Sequence, residues 1–149
     1  MLAACLSVGV QFAFAQDHHA HHGGGSAQLT LNDGKKWATD GNLRQGMESI
    51  RDALAAELPT IHSGKASAGQ YHALAKKVND QITLMVQNCK LDKEADAMLH
   101  LVLTELTAGA NAISGQKNNK AKRHGVEKIA HALEDYATYF DHPGWHGLD

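Results

Sequence analysis

The chain has 149 residues, a formal net charge of −2, and few aromatic residues and prolines. This length fits one domain, and the charge balance lacks the basic surplus with which nucleic-acid-binding proteins neutralise phosphates. The composition favours helices over a β-sandwich. The chain contains two cysteines, Cys5 and Cys89.

The first 15 residues predict a secretory signal peptide. An apolar run ends in Ala13-Phe14-Ala15, a small-x-small triplet typical of a cleavage site. The run lacks a basic n-region, which indicates that Met1 is an internal start and that the signal is truncated. The alternative is a lipoprotein box at residues 2–5, with a lipid on Cys5. Export with removal of this signal peptide predicts that the mature protein is periplasmic.

Residues 16–28 predict a disordered tail rich in histidine and glycine. Four imidazoles fall within five positions, at His18, His19, His21 and His22. Imidazole is the commonest metal ligand, and a short histidine-rich tract has no packing role. Cleavage after Ala15 would place His18 third from a free amino terminus, which gives the square-planar nitrogen set preferred by Cu(II) or Ni(II). The alternative is a solubilising tail.

Residues 29–149 predict an all-α domain, an antiparallel up-down-up-down four-helix bundle. Apolar residues recur at spacings of three and four, as on one face of a helix, and short connections favour antiparallel neighbours. The first two stripes are Leu43, Met47, Ile50, Leu54, Leu58 and Ile61, then Tyr71, Leu74, Val78, Ile82, Met85 and Cys89. The last two are Ala95, Leu99, Val102, Leu106 and Ile113, then Val126, Ile129, Leu133, Tyr136, Ala137 and Phe140.

Local signals predict where these helices begin and end. Pro59 predicts a kink or an early end of the first helix. Ser67-x-x-Gln70 is a capping box that opens the second. Asp92 is a cap for the third helix, and residues 115–119 predict the turn before the fourth.

The predicted topology gathers soft metal ligands at one end of the bundle. The first helix begins there, the fourth ends there, and helical phase places Cys89 near the centre of the second stripe. We therefore predict a second metal site formed by Cys89, Met47, Met85, His142 and His146. A thiolate, thioethers and imidazoles suit Cu(I). The alternative is that the methionines and the cysteine fill the core.

One segment resembles a haem-protein family. Leu43-Arg44-Gln45-Gly46-Met47-Glu48-Ser49-Ile50 is similar to the first helix of cytochrome c-prime and its soluble b-type relatives. Those are exported four-helix bundles with haem in the core, and the resemblance implies an axial ligand at Met47. The covalent attachment motif C-x-x-C-H is absent, and Tyr136 stands at the phase where those families place a histidine.

A longer resemblance spans nearly all of the chain after the predicted signal. It rests on LNDGKKWATD at residues 31–40, NCKL at residues 88–91 and FDHPGW at residues 140–145. These segments are similar to a family of small exported proteobacterial proteins, sometimes labelled DnrO-like, that often carry a histidine-rich mature N-terminus. The resemblance implies a periplasmic address and no established activity.

The sequence therefore predicts a non-enzymatic periplasmic metal-binding protein that buffers or delivers copper. It contains no phosphate loop, no H-E-x-x-H helix and no nucleophile with a placed base. One alternative is a cytochrome-like electron-transfer bundle. Another is a metal-free module that uses Trp37 and Trp145, predicted at the same end of the bundle, to dock on a periplasmic or membrane-complex protein.

Overall fold

The first helix begins at a cap that the local sequence supplies, and three more helices follow at short intervals. The computed structural model describes residues 28–148. It contains α1 (Gly41–His62), α2 (Ala68–Asn88), α3 (Lys93–Gly115) and α4 (Asn119–Tyr139). Each helix contacts its neighbours in the chain, and α1 contacts α4 to close the bundle. The predicted all-α four-helix bundle is confirmed, whereas the predicted signal peptide and the histidine tract lie outside the described residues.

The observed caps follow the chemistry of the residues at the helix starts. Asp40 accepts the Leu43 N–H at 2.7 Å, and Asn118 caps α4 in the same way. The predicted capping box at Ser67-x-x-Gln70 is present. Asp92 occupies the N-cap position of α3, but its side chain makes no capping hydrogen bond.

Pro59 does not end α1, which continues three residues further to His62. A proline removes one backbone hydrogen bond and contacts the preceding turn. Because Pro59 lies in the last turn of α1, only a short part of the helix follows it and could be disrupted. Within residues 28–148, no helix is both long enough and apolar enough to cross a membrane.

The predicted apolar stripes form the core almost completely. The predicted positions that are only partly buried are Leu58, Ile82, Cys89 and Ala137. Cys89 is the C-cap of α2: its N–H still donates to the Met85 carbonyl, and its ψ of 141° turns the following residue out of the helix. It packs against the core but is only partly buried, whereas the predicted phase placed it near the centre of the stripe.

The chain before α1 and the chain after α4 pair with each other. The Trp37 N–H donates to the Tyr139 carbonyl, and the Asp141 N–H donates to the Trp37 carbonyl, both at 2.8 Å. The Trp37 indole N–H donates to the Thr30 carbonyl at 2.6 Å. Residues 28–40 are thereby held against the end of α4, at the end of the bundle where α1 begins.

Two glycines allow α3 and α4 to approach closely. A Cβ atom on Gly125 would lie 2.8 Å from the Gly109 carbonyl oxygen and 3.0 Å from the Ala112 Cβ. A Cβ on Gly109 would lie 2.8 Å from the Gly125 oxygen. The lack of side chains at both positions therefore sets the separation of the two helices.

We expect Gly125→Ala to destabilise the protein. Alanine gains about 1 kcal/mol in helix propensity, but its methyl group meets backbone that cannot rotate away, and overpacking costs about 1–3 kcal/mol. The net loss is measurable by urea unfolding. The matched control is Gly115→Ala, where a Cβ would meet nothing within 4 Å. Equal stability of the two variants would contradict this account of the α3–α4 contact.

Candidate functional site

The end of the bundle where α1 and α3 begin and α2 and α4 end is called here the Asp40 pole. The Asp40 carboxylate joins two elements at this pole. One oxygen accepts the Leu43 N–H of α1, and the other accepts the Lys90 N–H of the α2–α3 connection at 2.6 Å. Burial by itself would raise the pKa of Asp40, but these backbone donors and the Cys89 thiol outweigh it and lower that pKa.

Cys89 lies beside this carboxylate and is partly buried. Burial raises the pKa of the Cys89 thiol to about 12, and the charge of Asp40 and a hydrogen bond to it add to the effect. The thiolate is the form that binds metals and attacks electrophiles. At neutral pH Cys89 is therefore a protonated thiol that donates to Asp40, and a metal would have to displace that proton.

The two methionines predicted as ligands are core residues. Met47 is fully buried and Met85 is 1% exposed. Met85 packs on Gly46, where a Cβ atom would lie 2.6 Å from the Met85 sulfur. Both thioethers lie in the interior, and the fit of Met85 depends on the missing side chain of Gly46.

His142 is buried after the end of α4, and both of its ring nitrogens have partners. Nδ1 lies 2.9 Å from the Tyr136 hydroxyl, and Nε2 lies 3.0 Å from a carboxylate oxygen of Glu48 in α1. The Glu48 carboxylate accepts a hydrogen bond, so Nε2 carries the hydrogen and donates it to Glu48. In the neutral ring Nδ1 is then the acceptor, and the Tyr136 hydroxyl, whose pKa burial raises above its ordinary value, donates to it. A metal could bind His142 only by replacing one of these hydrogen bonds.

Trp145 covers this hydrogen-bonded group. Its ring contacts the rings of Tyr136 and His142, with centroids 5.0 Å apart in both cases. The Arg51 guanidinium lies 5.2 Å from the Trp145 ring centroid, a cation–π contact. Residues 140–148, called here the C-terminal strap, therefore fold back over α1 and α4.

His146, the last predicted ligand of the soft site, is exposed on the strap. Its carbonyl accepts from Arg51 at 3.3 Å, which leaves the imidazole outside this contact. The structure thus places Cys89, Met47, Met85 and His142 at the Asp40 pole but gives them different partners. Among residues 28–148, no three His, Cys, Asp or Glu side chains are grouped so as to hold a metal ion.

The predicted ligands of the N-terminal tract, His18, His19, His21 and His22, lie outside the described residues. The remaining histidines of the bundle lie on its surface. The exposed ones on the helices are His62, His72, His100, His124 and His131.

Sequence reasoning missed Asp40 and Glu48. Asp40 had a local signal, since an aspartate directly before a helical stripe is a common N-cap. Glu48 had none, because its partner His142 is 94 positions away in the chain.

Comparisons with known proteins add no relative. The chain matches no protein-family model, no curated protein and no solved structure. The resemblances to DnrO-like proteins and to cytochrome c-prime therefore stay predictions.

We expect Asp40→Asn to increase the reactivity of Cys89. Asparagine also caps helices well, but the substitution removes the negative charge and carboxylate acceptor that help to hold the thiol pKa near 12. Well below the pKa, each unit by which it falls raises the thiolate fraction about tenfold. Alkylation rates with iodoacetamide, measured between about pH 8 and pH 11, test this. Identical rate profiles for the variant and the wild type would show that Asp40 does not control the thiol.

We expect Tyr136→Phe to destabilise the bundle by about 1–3 kcal/mol, because it leaves the buried Nδ1 of His142 without a partner. Tyr139→Phe is the matched control, a partly buried tyrosine in the same turn of α4. Chemical unfolding of Tyr136→Phe, His142→Ala and the double variant should give a coupling energy of about 0.5–3 kcal/mol. Additive losses would contradict a direct hydrogen bond between the two side chains.

Proposed function

We propose that the protein is a non-enzymatic, exported copper-binding protein that captures the ion on the histidine tract at residues 18–22. The observation that carries the proposal is the density of imidazoles, four within five positions beside Asp17. The predicted cleavage after Ala15 places this tract at the N-terminus of a periplasmic chain, where it meets incoming ions. Buffering or delivery is the corresponding role.

Copper is the expected metal because of the ligand type. Imidazole nitrogen binds Zn(II), Cu(II) and Ni(II), and for a given nitrogen site the affinity of divalent first-row metals is highest for Cu(II). A tail with several imidazoles in sequence can also arrange them in the tetragonal geometry that Cu(II) prefers. The alternatives, nickel and zinc, use the same ligands with lower affinity.

The partners of the bundle's own candidate ligands support placing the principal site on the tract. The ring nitrogens of His142 are hydrogen-bonded, and the Cys89 thiol donates to Asp40 with a raised pKa. A second, soft site at the Asp40 pole would require Cys89 to lose its proton. It would also require Met85 to leave its contact with Gly46. The thiolate and thioether ligands of such a site would suit Cu(I).

The two alternative functions predict different observables. A cytochrome-like protein would have an axial ligand to the haem iron and a Soret absorption band. The α4 position where the related families place their histidine ligand holds Tyr136, whose hydroxyl is bound to His142. A metal-free docking module would leave its aromatic side chains available, whereas Trp145 is packed on Tyr136 and Arg51. No contact in the described residues specifically favours the cytochrome-like protein or the docking module.

The test is Cu(II) binding by untagged protein purified from the cell envelope, with an absorption spectrum recorded at the same time. We expect about one Cu(II) per chain with nitrogen ligands, and no Soret band. Replacing His18, His19, His21 and His22 by alanine should abolish this binding.

A variant with the same number of imidazoles removed provides the control. It replaces four exposed histidines of the helices, His62, His72, His124 and His131. This variant should bind copper as the wild type does. A wild-type protein that ignores added copper, or a tract variant that binds it unchanged, would refute the proposal.

A further inference from the structure

The end of the bundle opposite the Asp40 pole carries a surplus of positive charge. The C-termini of α1 and α3 and the N-termini of α2 and α4 meet there. Neither residues 58–79 nor residues 106–126 contain an aspartate or a glutamate. The exposed cations at this end, called here the basic pole, are Lys65, Lys117, Lys120 and Arg123.

Three segments of the chain bring these cations together. Lys65 lies in the connection between α1 and α2, and Lys117 lies in the connection between α3 and α4. The other two belong to the first turns of α4. The starts of α4 and α2 are in contact, because the Lys122 ammonium lies 5.3 Å from the ring centroid of Tyr71. Lys122 is buried in this contact, so it adds charge to the pole without forming part of its surface.

The exposed cations of the basic pole have no carboxylate partner among residues 28–148. The lysine and arginine side chains that form ion pairs in this part of the chain are Arg51, Lys76 and Lys128. Helix stability does not account for the cations of α4 either, because the N-terminal end of a helix is positive and favours acidic side chains. The first turn of α4 contains two lysines and no acidic residue. These charges are therefore available to an outside partner.

A recess of 540 Å³ lies among these charges at the start of α4. It is lined by Lys120, Arg123 and His124, and by Asn118, which caps the helix. Glu127 also lines it and lies 3.4 Å from Nδ1 of His124. Small-molecule sites have volumes of about 300–1,000 Å³, so a phosphate-bearing headgroup fits into this recess.

The two ends of the bundle differ in the sign of their charge. The helix halves and connections near the Asp40 pole contain a set of acidic residues that includes Asp92, Glu94, Asp96, Glu134, Asp135 and Asp141. A negatively charged surface attracts the basic pole and repels the Asp40 pole. This distribution of charge therefore orients the whole molecule toward an anionic surface.

The composition of the basic pole favours a lipid surface over a protein surface. Protein interfaces are depleted in lysine and enriched in aromatic residues, whereas three of the four exposed cations here are lysines. Lysine acts as a point charge without a fixed bonding geometry, and clusters of about 4–8 lysine and arginine residues are typical of segments attracted to anionic lipids. Trp37 and Trp145 lie at the other end, against the end of α4.

We propose that the basic pole docks the bundle end-on against the phosphate headgroups of an anionic membrane surface. The headgroup phosphates bind the exposed lysines and Arg123, and the Asp40 pole faces away from the membrane. This inference concerns the surface of the bundle and does not rest on the histidine tract or on copper.

The experiment measures co-sedimentation of the untagged protein, purified from the cell envelope, with lipid vesicles. One kind of vesicle contains equal parts of phosphatidylglycerol and phosphatidylcholine, and the other contains phosphatidylcholine alone. We expect binding to the anionic vesicles at about 0.1 M salt and release at about 1 M, where the Debye length falls to about 3 Å. Equal binding to both kinds of vesicle, or binding that salt does not weaken, would overturn the proposal.

A triple variant removes three charges of the basic pole by the substitutions Lys117→Gln, Lys120→Gln and Arg123→Gln. Each basic residue near an anionic lipid surface strengthens binding about fivefold. We therefore expect the triple variant to bind the anionic vesicles about 100-fold more weakly than the wild type. Its thermal midpoint should not fall, because glutamine is a comparable helix former and the positive end of α4 loses unfavourable charges.

The matched control removes the same amount of charge from the Asp40 pole by the substitutions Lys35→Gln, Lys90→Gln and Lys93→Gln. These residues are exposed and lie about 30 Å from the basic pole, the length of a helix such as α2. Because this distance exceeds the Debye length, binding should stay within about threefold of the wild type. Equal losses in the two triple variants would show that net charge and not the basic pole governs binding, and would overturn the proposal.

Tryptophan fluorescence tests the orientation of the bound protein. Brominated phosphatidylglycerol quenches tryptophan on contact, and both tryptophans lie at the Asp40 pole. We expect bound protein to keep the fluorescence of free protein. Quenching on binding would show that the opposite end docks, and would contradict the proposal.

Two soluble anions distinguish the membrane from other anionic partners. Inorganic phosphate should displace the protein from anionic vesicles no better than chloride at the same ionic strength, and polyglutamate should bind more weakly than the vesicles do. Displacement by phosphate alone would assign the recess at the start of α4 to a free anion. Binding to polyglutamate without binding to vesicles would assign the basic pole to an acidic protein. Either result would overturn docking on a membrane.

Discussion

A buried imidazole needs a partner for each of its ring nitrogens, and much of the structure follows from how His142 meets this requirement. Its partners lie on two helices, Tyr136 on α4 and Glu48 on α1. The α1–α4 contact is the smallest of the four contacts between neighbouring helices. The hydrogen bonds of His142 therefore join the two helices that pack together least, and they hold the C-terminal strap in place.

The Asp40 carboxylate performs a second joining role at the same pole. It caps α1 and also accepts the Lys90 N–H from the α2–α3 connection. Burial raises the pKa of the neighbouring Cys89 thiol, and the charge of this carboxylate adds to the effect. The residues whose chemistry suggested a metal site at this pole are thus engaged in holding the bundle together.

This division has a consequence for function. The candidate ligands of the bundle are already engaged in contacts within the fold, which is why the proposed function assigns the capture of the ion to the histidine tract.

Local patterns determined the helical class, the four stripes and most of the core. Periodicity identifies which face is buried, and the capping box at Ser67-x-x-Gln70 needs no distant residue. Cys89 is on the core side of α2 as its phase predicted, but it is only partly buried because α2 ends at Asn88 and Cys89 is the C-cap at the end of the bundle. The tertiary structure alone decided the burial of His142 and its pairing with Glu48, since a hydrogen bond across 94 positions leaves no periodic trace in the sequence. It also decided the close α3–α4 approach at Gly109 and Gly125, because a glycine shows its packing role only when its neighbour is known.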